Sequence, residues 1–186
     1  MFKRIRKLLK RFVMRIRGEI TADQLIDKGM VVGKNFHCLQ GTILDPAHCW
    51  LIEIGNNVTL APGVHILCHD ASTKLYLGYT KIGRVTIGNG VFVGAKSVIL
   101  PGVTIGNNVI VGANSTVTSN IPDGMVYAGS PARSICTTED YIKKEKNRMA
   151  ISKCYDESWT LRENVSREKR MQQKNDLANG AIGYID

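Results

Sequence analysis

Cysteine is scarce in this chain and unpaired. Cys38, Cys49, Cys68, Cys136 and Cys154 are odd in number and form no C-x-x-C pair. That argues against a disulfide framework and against a structural zinc site, and it points to a reduced, cytosolic setting. No stretch approaches the roughly 18 consecutive apolar residues of a membrane span. The basic start also lacks the uninterrupted apolar run and small-residue cleavage site of a signal peptide, so the expected location is cytoplasmic. Aromatic residues make up only 6% of the sequence. Nucleic acid is not an expected partner, because the basic charge is not spread over a folded face with base-stacking aromatics. There is no Gly-x-Ser-x-Gly elbow and no Cys-His pair at a recognisable spacing, so a covalent acyl-enzyme is not indicated.

The net charge of +9 is concentrated at one end. Lys3, Arg4, Arg6, Lys7, Lys10, Arg11, Arg15 and Arg17 precede Gly18, leaving 17 basic against 16 acidic residues over the rest. Phe2, Ile5, Leu9, Phe12, Val13 and Ile16 fall at helical spacing among those cations, which describes a basic amphipathic helix within a segment 1–30. Two readings are open. The helix lies on an anionic membrane surface, on the inner face, or its apolar stripe packs on the rest of the protein while the cations stay solvated.

What dominates the middle of the chain is a period of six. Ile54, Leu60 and Ile66, then Ile87, Val93, Ile99, Ile105, Val111 and Val117, are all aliphatic and all but one β-branched. With about a quarter of residues Val, Ile or Leu, such a run arises by chance on the order of once in 10⁵. Gly55, Gly88, Gly94, Gly106 and Gly112 follow five of these positions, and Val58, Val64, Val91, Ser97, Val103, Val109 and Ser115 sit four residues on. Six is neither the helical period nor plain strand alternation; it reads as three extended steps and a turn. Gly and Asn at the corners are expected to supply left-handed backbone. Three hexads make one coil, and stacked coils bury the aliphatic residues that one coil leaves exposed.

This pattern resembles the hexapeptide-repeat acyltransferases, in particular the galactoside- and maltose-type and polysaccharide O-acetyltransferases. The resemblance covers residues 31–136 and implies an all-β solenoid, a left-handed parallel β-helix, with helical segments at both ends. Two interruptions break the beat. The interval from Val32 to Ile54 is four residues too long for a coil, which predicts a bulge near Asp45-Pro46-Ala47-His48-Cys49-Trp50. After Ile66 the pattern resumes only at Ile87, which predicts an extruded loop over 71–86. Thr21 with Gln24 predicts a capped short helix ending near Gly29. The tail, 137–186, is charged; Thr138 is expected to cap a helix towards Met149, with a second over Ser166–Leu177.

All four histidines, His37, His48, His65 and His69, lie in one window. Zinc is not expected, since His65 and His69 on an extended coil need not share a face. His69 stands where the coil stops and the loop begins. The resemblance implies a general base here, some two dozen residues before the coil Ile87-Gly88-Asn89-Gly90-Val91-Phe92-Val93-Gly94-Ala95. An imidazole suits that task, as its unperturbed pKa of about 6.5 lets it take a proton from an attacking hydroxyl at neutral pH. Asp45 and Asp70 each suit orienting that imidazole or binding a sugar hydroxyl. The resemblance favours Asp45 in the acceptor pocket, whereas Asp70 is equally readable as a loop residue bonding its own backbone. Tyr76 and Tyr79 are available to stack on a sugar or to pack the loop.

For the donor, Gly129-Ser130-Pro131-Ala132-Arg133 looks like the G-x-P-A-R segment that closes the family's β-helix and touches coenzyme A. Arg133 would pair with a phosphate. The resemblance further implies contacts from Ala95, Ala113, Thr118, Ser119 and Pro131 to the thioester arm, with backbone amides near Ala95 as oxyanion donors. The expected activity is acetyl transfer from acetyl-coenzyme A to a sugar or glycan hydroxyl by a homotrimer with its site between subunits. The alternatives are an acetyltransferase acting on an antibiotic or other small molecule, and a non-catalytic trimeric scaffold.

Overall fold

The computed structural model describes residues 20–186. The amphipathic segment 1–17 therefore lies outside the described residues. The chain divides into two compact units, one running to Thr138 and one over Glu139–Asp186.

The first unit is a parallel β-helix with three sheets. Val31–Val32, Ile52–Ile54, Val85–Ile87 and Thr104–Ile105 stack as one side. His37–Cys38, Thr59–Leu60, Phe92–Val93, Ile110–Val111 and Met125–Ala128 stack as the second, with Arg133–Thr137 returning antiparallel on its edge. Ile43–Leu44, His65–Ile66, Val98–Ile99 and Thr116–Val117 form the third. All nine positions of the six-residue beat are buried, none more than 3% exposed. The residues four further on are buried too, including Ser97 at 0% and Ser115 at 1%. Each hexad thus sends two side chains inward, one from the strand and one from the corner. Where the corner residue is serine, its hydroxyl stays satisfied: Ser97 Oγ and Ser115 Oγ both donate to the Gly112 carbonyl, at 2.9 and 2.7 Å.

The corner glycines do two jobs, and one of them is the expected one. Left-handed backbone is supplied at the turns by Asn35, Asn57, Asn108 and Asn114, with φ between 53 and 55°, and by Gly41, Gly63, Gly90, Gly102 and Gly124, with φ between 67 and 85°. The glycines that follow the aliphatic residues have no positive φ; they are small because the next coil passes so close. A Cβ on Gly94 would stand 2.4 Å from the Ala113 amide nitrogen, and one on Gly88 2.8 Å from the Gly106 backbone. Coils spaced at a strand separation of about 4.8 Å leave no room there for a methyl group. The corner that holds Gly55, Gly88 and Gly106 also carries a ladder: Asn56 Nδ2 donates to Asn89 Oδ1 (3.0 Å), and Asn89 Nδ2 to Asn107 Oδ1 (2.9 Å).

Both interruptions are present. The surplus of the first coil includes a three-residue 3-10 turn, Cys49–Leu51, while Val32 still pairs with Ile54. Helix α1, Ala22–Ile26, has the expected reciprocal cap between Thr21 and Gln24. It ends three residues before Gly29, and its Leu25 joins Met30 and Cys49 in the core at the first coil. The second excursion is shifted from the expected 71–86. His69–Asp70 pairs antiparallel with Lys81–Ile82, and a short helix α2, Lys74–Leu77, lies between them. Val85 is already back in the coil, 0% exposed and paired with Ile52, because this strand is three residues long to match Ile52–Ile54.

Helix α3, Thr138–Ala150, leads into the second unit. Helix α4, Arg167–Asp176, is capped by Ser166, close to the expected span. The parallel pair Lys153–Tyr155 with Gly183–Ile185 has no counterpart in the sequence expectations, and the Tyr184 hydroxyl ties it to helix α3 by donating to Glu145 Oε2 at 2.8 Å. No helix among the described residues is long and apolar enough to cross a membrane.

Candidate active site

The two interruptions meet at one corner of the β-helix, where the third sheet gives way to the first. Asp45 follows the strand Ile43–Leu44 and His69 follows His65–Ile66 one coil later. Asp45 Oδ2 lies 2.5 Å from His69 Nδ1 and also accepts from the Cys68 amide at 2.8 Å. Asp45 Oδ1 accepts from the amides of Ala47 and His48, at 3.0 and 3.1 Å, which closes the turn opened by the surplus residues. One carboxylate therefore folds the insertion and holds the imidazole.

Its charge state follows from these partners. Burial alone would push the Asp45 carboxyl up, but the Cys68 amide, the His69 imidazole and the amides of His48 and Ala47 outweigh it and hold the group below the ordinary carboxylate range. Facing an ionised carboxylate, Nδ1 of His69 is the protonated nitrogen. Nε2 is then left as a lone-pair acceptor. The His69 side chain is 38% exposed and the Asp45 side chain 0%. Beside them the Cys68 thiol is pushed up to about 11, chiefly by burial and secondarily by the Asp45 charge.

The placement of Asp45 corrects the expectation that it binds acceptor. A fully buried carboxylate with both oxygens occupied has nothing to offer a sugar; it orients the imidazole and shapes the turn. Asp70 turns away from His69. It forms an ion pair with Lys81 at 2.7 Å and accepts from the Ser72 amide at 2.8 Å, which staples the excursion. The Lys81 ammonium first, and then the Ser72 amide and hydroxyl, hold the Asp70 carboxyl well below the usual range. Tyr76 and Tyr79 are 82% and 81% exposed, so neither packs the loop. The Tyr79 carbonyl accepts from Thr73 Oγ1.

The residues expected along the thioester arm split between two corners. Ala95, Ala113 and Pro131 stand on the corner between the second and third sheets, with the Asn114 amide donating to the Ala95 carbonyl at 2.8 Å. Thr118 and Ser119 stand on the His69 corner, two coils further along. Arg133 is exposed, and its Nη1 donates to the Ala132 carbonyl.

Two residues of this corner were missed from the sequence, His48 and Trp50. The His48 ring lies 5.3 Å from that of His69 and 5.4 Å from that of Trp50. His48 Nδ1 is buried without a hydrogen-bond partner. The available signal was the length of the insertion, since a surplus at a corner must emerge beside whatever the next coil carries there. His65, by contrast, sits on the third sheet and does not converge with His69. Asp45, His48 and His69 present donor atoms within 4.8 Å of one another. The Asp45 oxygens are already spent on three amides and an imidazole, an arrangement that reads as a hydrogen-bonded pair more than as a ligand set.

Residues 84–119 match the family model described as bacterial transferase hexapeptide (six repeats). Protein CapG of Staphylococcus aureus is 40% identical over 140 residues, which span 73% of this chain and 81% of CapG. The galactoside O-acetyltransferase of Escherichia coli is 39% identical over 119 residues, 60% of this chain but only 56% of that protein. A hexapeptide-repeat acetyltransferase from Vibrio cholerae, crystallised with acetyl coenzyme A, superposes with a TM-score of 0.52 at 24% identity, covering 59% of this chain and 61% of that one. The last likeness concerns the fold, the left-handed parallel β-helix.

Proposed function

Since this chain belongs to the bacterial hexapeptide-repeat transferases, we propose that it moves an acetyl group from acetyl-coenzyme A to a hydroxyl of a sugar or glycan. The observation that carries the reading is the pair of His69 and buried Asp45 at the mouth of the excursion. The donor brings an activated thioester carbonyl. His69 Nε2 accepts the proton of the acceptor hydroxyl as its oxygen attacks that carbonyl. Asp45 keeps Nδ1 protonated and offsets the positive charge that the ring acquires. As the new carbon–oxygen bond forms and the carbon–sulfur bond breaks, His69 returns the proton to the departing sulfur. No covalent acyl-enzyme is needed.

Small side chains fit a thin thioester arm, and Ala95, Ala113 and Pro131 form such a column, with exposed Arg133 beyond it for a phosphate. Thr118 and Ser119 lie on the His69 corner. One chain presents these sets on opposite edges of its third sheet, which favours a homotrimer in which the His69 edge of one copy faces the Ala95–Ala113 edge of the next. Exposed Tyr79 in the excursion would meet the acceptor, and Asp70, paired with Lys81, stiffens that excursion. Work at the cytoplasmic face of a membrane, on a surface-polysaccharide intermediate, would suit the basic segment 1–17; liposome co-sedimentation that is unchanged without those residues would remove this part of the reading.

The test of the whole is thiol release from acetyl-coenzyme A across a panel of sugar acceptors. His69→Ala is expected to keep its circular dichroism spectrum and lose about 10²- to 10⁴-fold in kcat. Wild-type rates in that variant would overturn the mechanism. Acetylation confined to an antibiotic or another small molecule that is not a sugar would move the acceptor class. Absence of any transfer in the wild type would leave the scaffold reading.

A further inference from the structure

Trp50 is held in an unusual way for a large aromatic residue. Its backbone belongs to the 3-10 turn Cys49–Leu51, whose Cys49 is 1% exposed and sits in the core with Leu25. Its Cβ lies against Gly29, where an added methyl group would meet it at 3.2 Å. Beyond that anchor the residue is 56% exposed. The base of the side chain is fixed while the indole is offered to solvent, so the ring contributes little to the core that anchors it.

What the indole adjoins gives it a meaning. His48 stands between Trp50 and His69, with ring centroids 5.4 Å from the one and 5.3 Å from the other, both tilted. The His48 amide donates to Asp45 Oδ1 at 3.1 Å, so the carboxylate that orients His69 also fixes the turn from which this row projects. The four surplus residues of the first coil thus build an aromatic shelf running outward from the proposed base. An aromatic face with negative quadrupole is a fit surface for the C–H face of a pyranose, whose hydroxyls remain free at its rim.

We propose that Trp50 is an acceptor subsite, on which the sugar unit next to the one being acetylated lies while the reacting hydroxyl reaches His69. This rests on the acetyl-transfer reading and sharpens its substrate class. Trp50 is reached from His69 in two ring-to-ring steps of 5.3 and 5.4 Å through His48, an interval suited to two linked pyranose units. The acceptor is therefore a disaccharide or longer glycan, with His48 serving as the spacer that sets the interval.

Two measurements test the subsite separately from the chemistry. Disaccharides (maltose and lactose) and the matching methyl glycosides are titrated while intrinsic fluorescence is read in the wild type, in Trp50→Phe and in His69→Ala. The same sugars then serve as acceptors in thiol-release assays of the wild type, Trp50→Ala and Trp50→Phe. A disaccharide-dependent fluorescence change is expected that is lost in Trp50→Phe and kept in His69→Ala. Trp50→Ala should raise KM about tenfold more for disaccharides than for methyl glycosides, the loss of one buried aromatic face, with kcat little altered. Trp50→Phe should recover most of that KM. A silent fluorescence titration in the wild type, or an equal loss on both classes of sugar, overturns the subsite. Transfer that proceeds with disaccharide KM unmoved in Trp50→Ala defeats the subsite alone. A Trp50 signal with no acetyl transfer to any acceptor keeps the subsite and defeats the enzymatic reading.

Discussion

Replacing Asp45 by asparagine changes one charge and one donor at constant size, and the structure says why it is not conservative. Both carboxylate oxygens face donors: Oδ1 the amides of Ala47 and His48, Oδ2 the amide of Cys68 and Nδ1 of His69. An asparagine has one acceptor oxygen. Whichever way its amide turns, an NH2 group confronts N–H donors, and if it confronts Cys68 that donor is buried. A buried donor left without an acceptor costs about 1–3 kcal/mol, and hydrogen bonds to a charged group contribute about 1.5–3 kcal/mol. We expect a total loss of about 2–4 kcal/mol. With a slope of about 2 kcal/mol/M, the urea midpoint followed by circular dichroism should fall by about 1–2 M at unchanged slope.

Activity should fall further than stability explains. An asparagine NH2 donating to Nδ1 moves the proton of the ring to Nε2, the nitrogen that accepts one in the proposed mechanism. In the serine-protease triad the corresponding replacement costs about 10⁴ in kcat, and a loss of about 10²- to 10⁴-fold is expected here under conditions where the variant is folded. The pH dependence has a definite sign. The folded-state pKa of Asp45 is depressed, so its contribution to stability is fully present above the ordinary carboxylate value of about 3.9 and is lost as pH falls below it towards the folded value. The gap between wild type and Asp45→Asn should therefore narrow below about pH 4. A variant with a wild-type urea midpoint and wild-type thiol release would refute the account of Asp45 altogether.

Two further outcomes follow from the packing. Gly94→Ala should destabilise by several kcal/mol, roughly the upper range for a strained core substitution, because its Cβ would stand 2.4 Å from the Ala113 backbone and two coils would have to part; thermal unfolding is the readout, and an unshifted midpoint would contradict the coil spacing. Of the five thiols, Cys49 and Cys68 are buried, and burial pushes the Cys68 thiol up to about 11, whereas Cys154 is exposed. A thiol reagent at neutral pH should label Cys154 rapidly and the two buried thiols only after denaturation, as peptide mapping would establish.

The beat of aliphatic residues from Ile54 to Val117 determined the architecture by itself. A residue that recurs every sixth position and cannot be buried by its own coil specifies stacking, whatever lies between. The places where the beat fails, near Asp45 and after His69, were equally legible, because a surplus of residues on a coil of fixed perimeter has to leave it. The side chains at those places were another matter. Asp45 could orient an imidazole or meet a sugar, and only the packing of one coil on the next turned its carboxylate inward to three amides and His69. Asp70 was readable as a partner of the imidazole or sugar or as a loop residue, and its ion pair with Lys81 across the hairpin decides for the loop.

The glycines show the same division. The left-handed turns at Gly63 and Gly102 are legible in the sequence, since φ is a local matter, whereas the approach of Gly94 to Ala113 is not. His48 and Trp50 carried no periodic signal at all, and they matter only because the first coil sets them beside a residue of the second. Periodicity is written in neighbours along the chain and so survives in the sequence. The direction of a side chain at a corner is fixed by what the adjacent coil leaves open to it, and that only the tertiary structure decided.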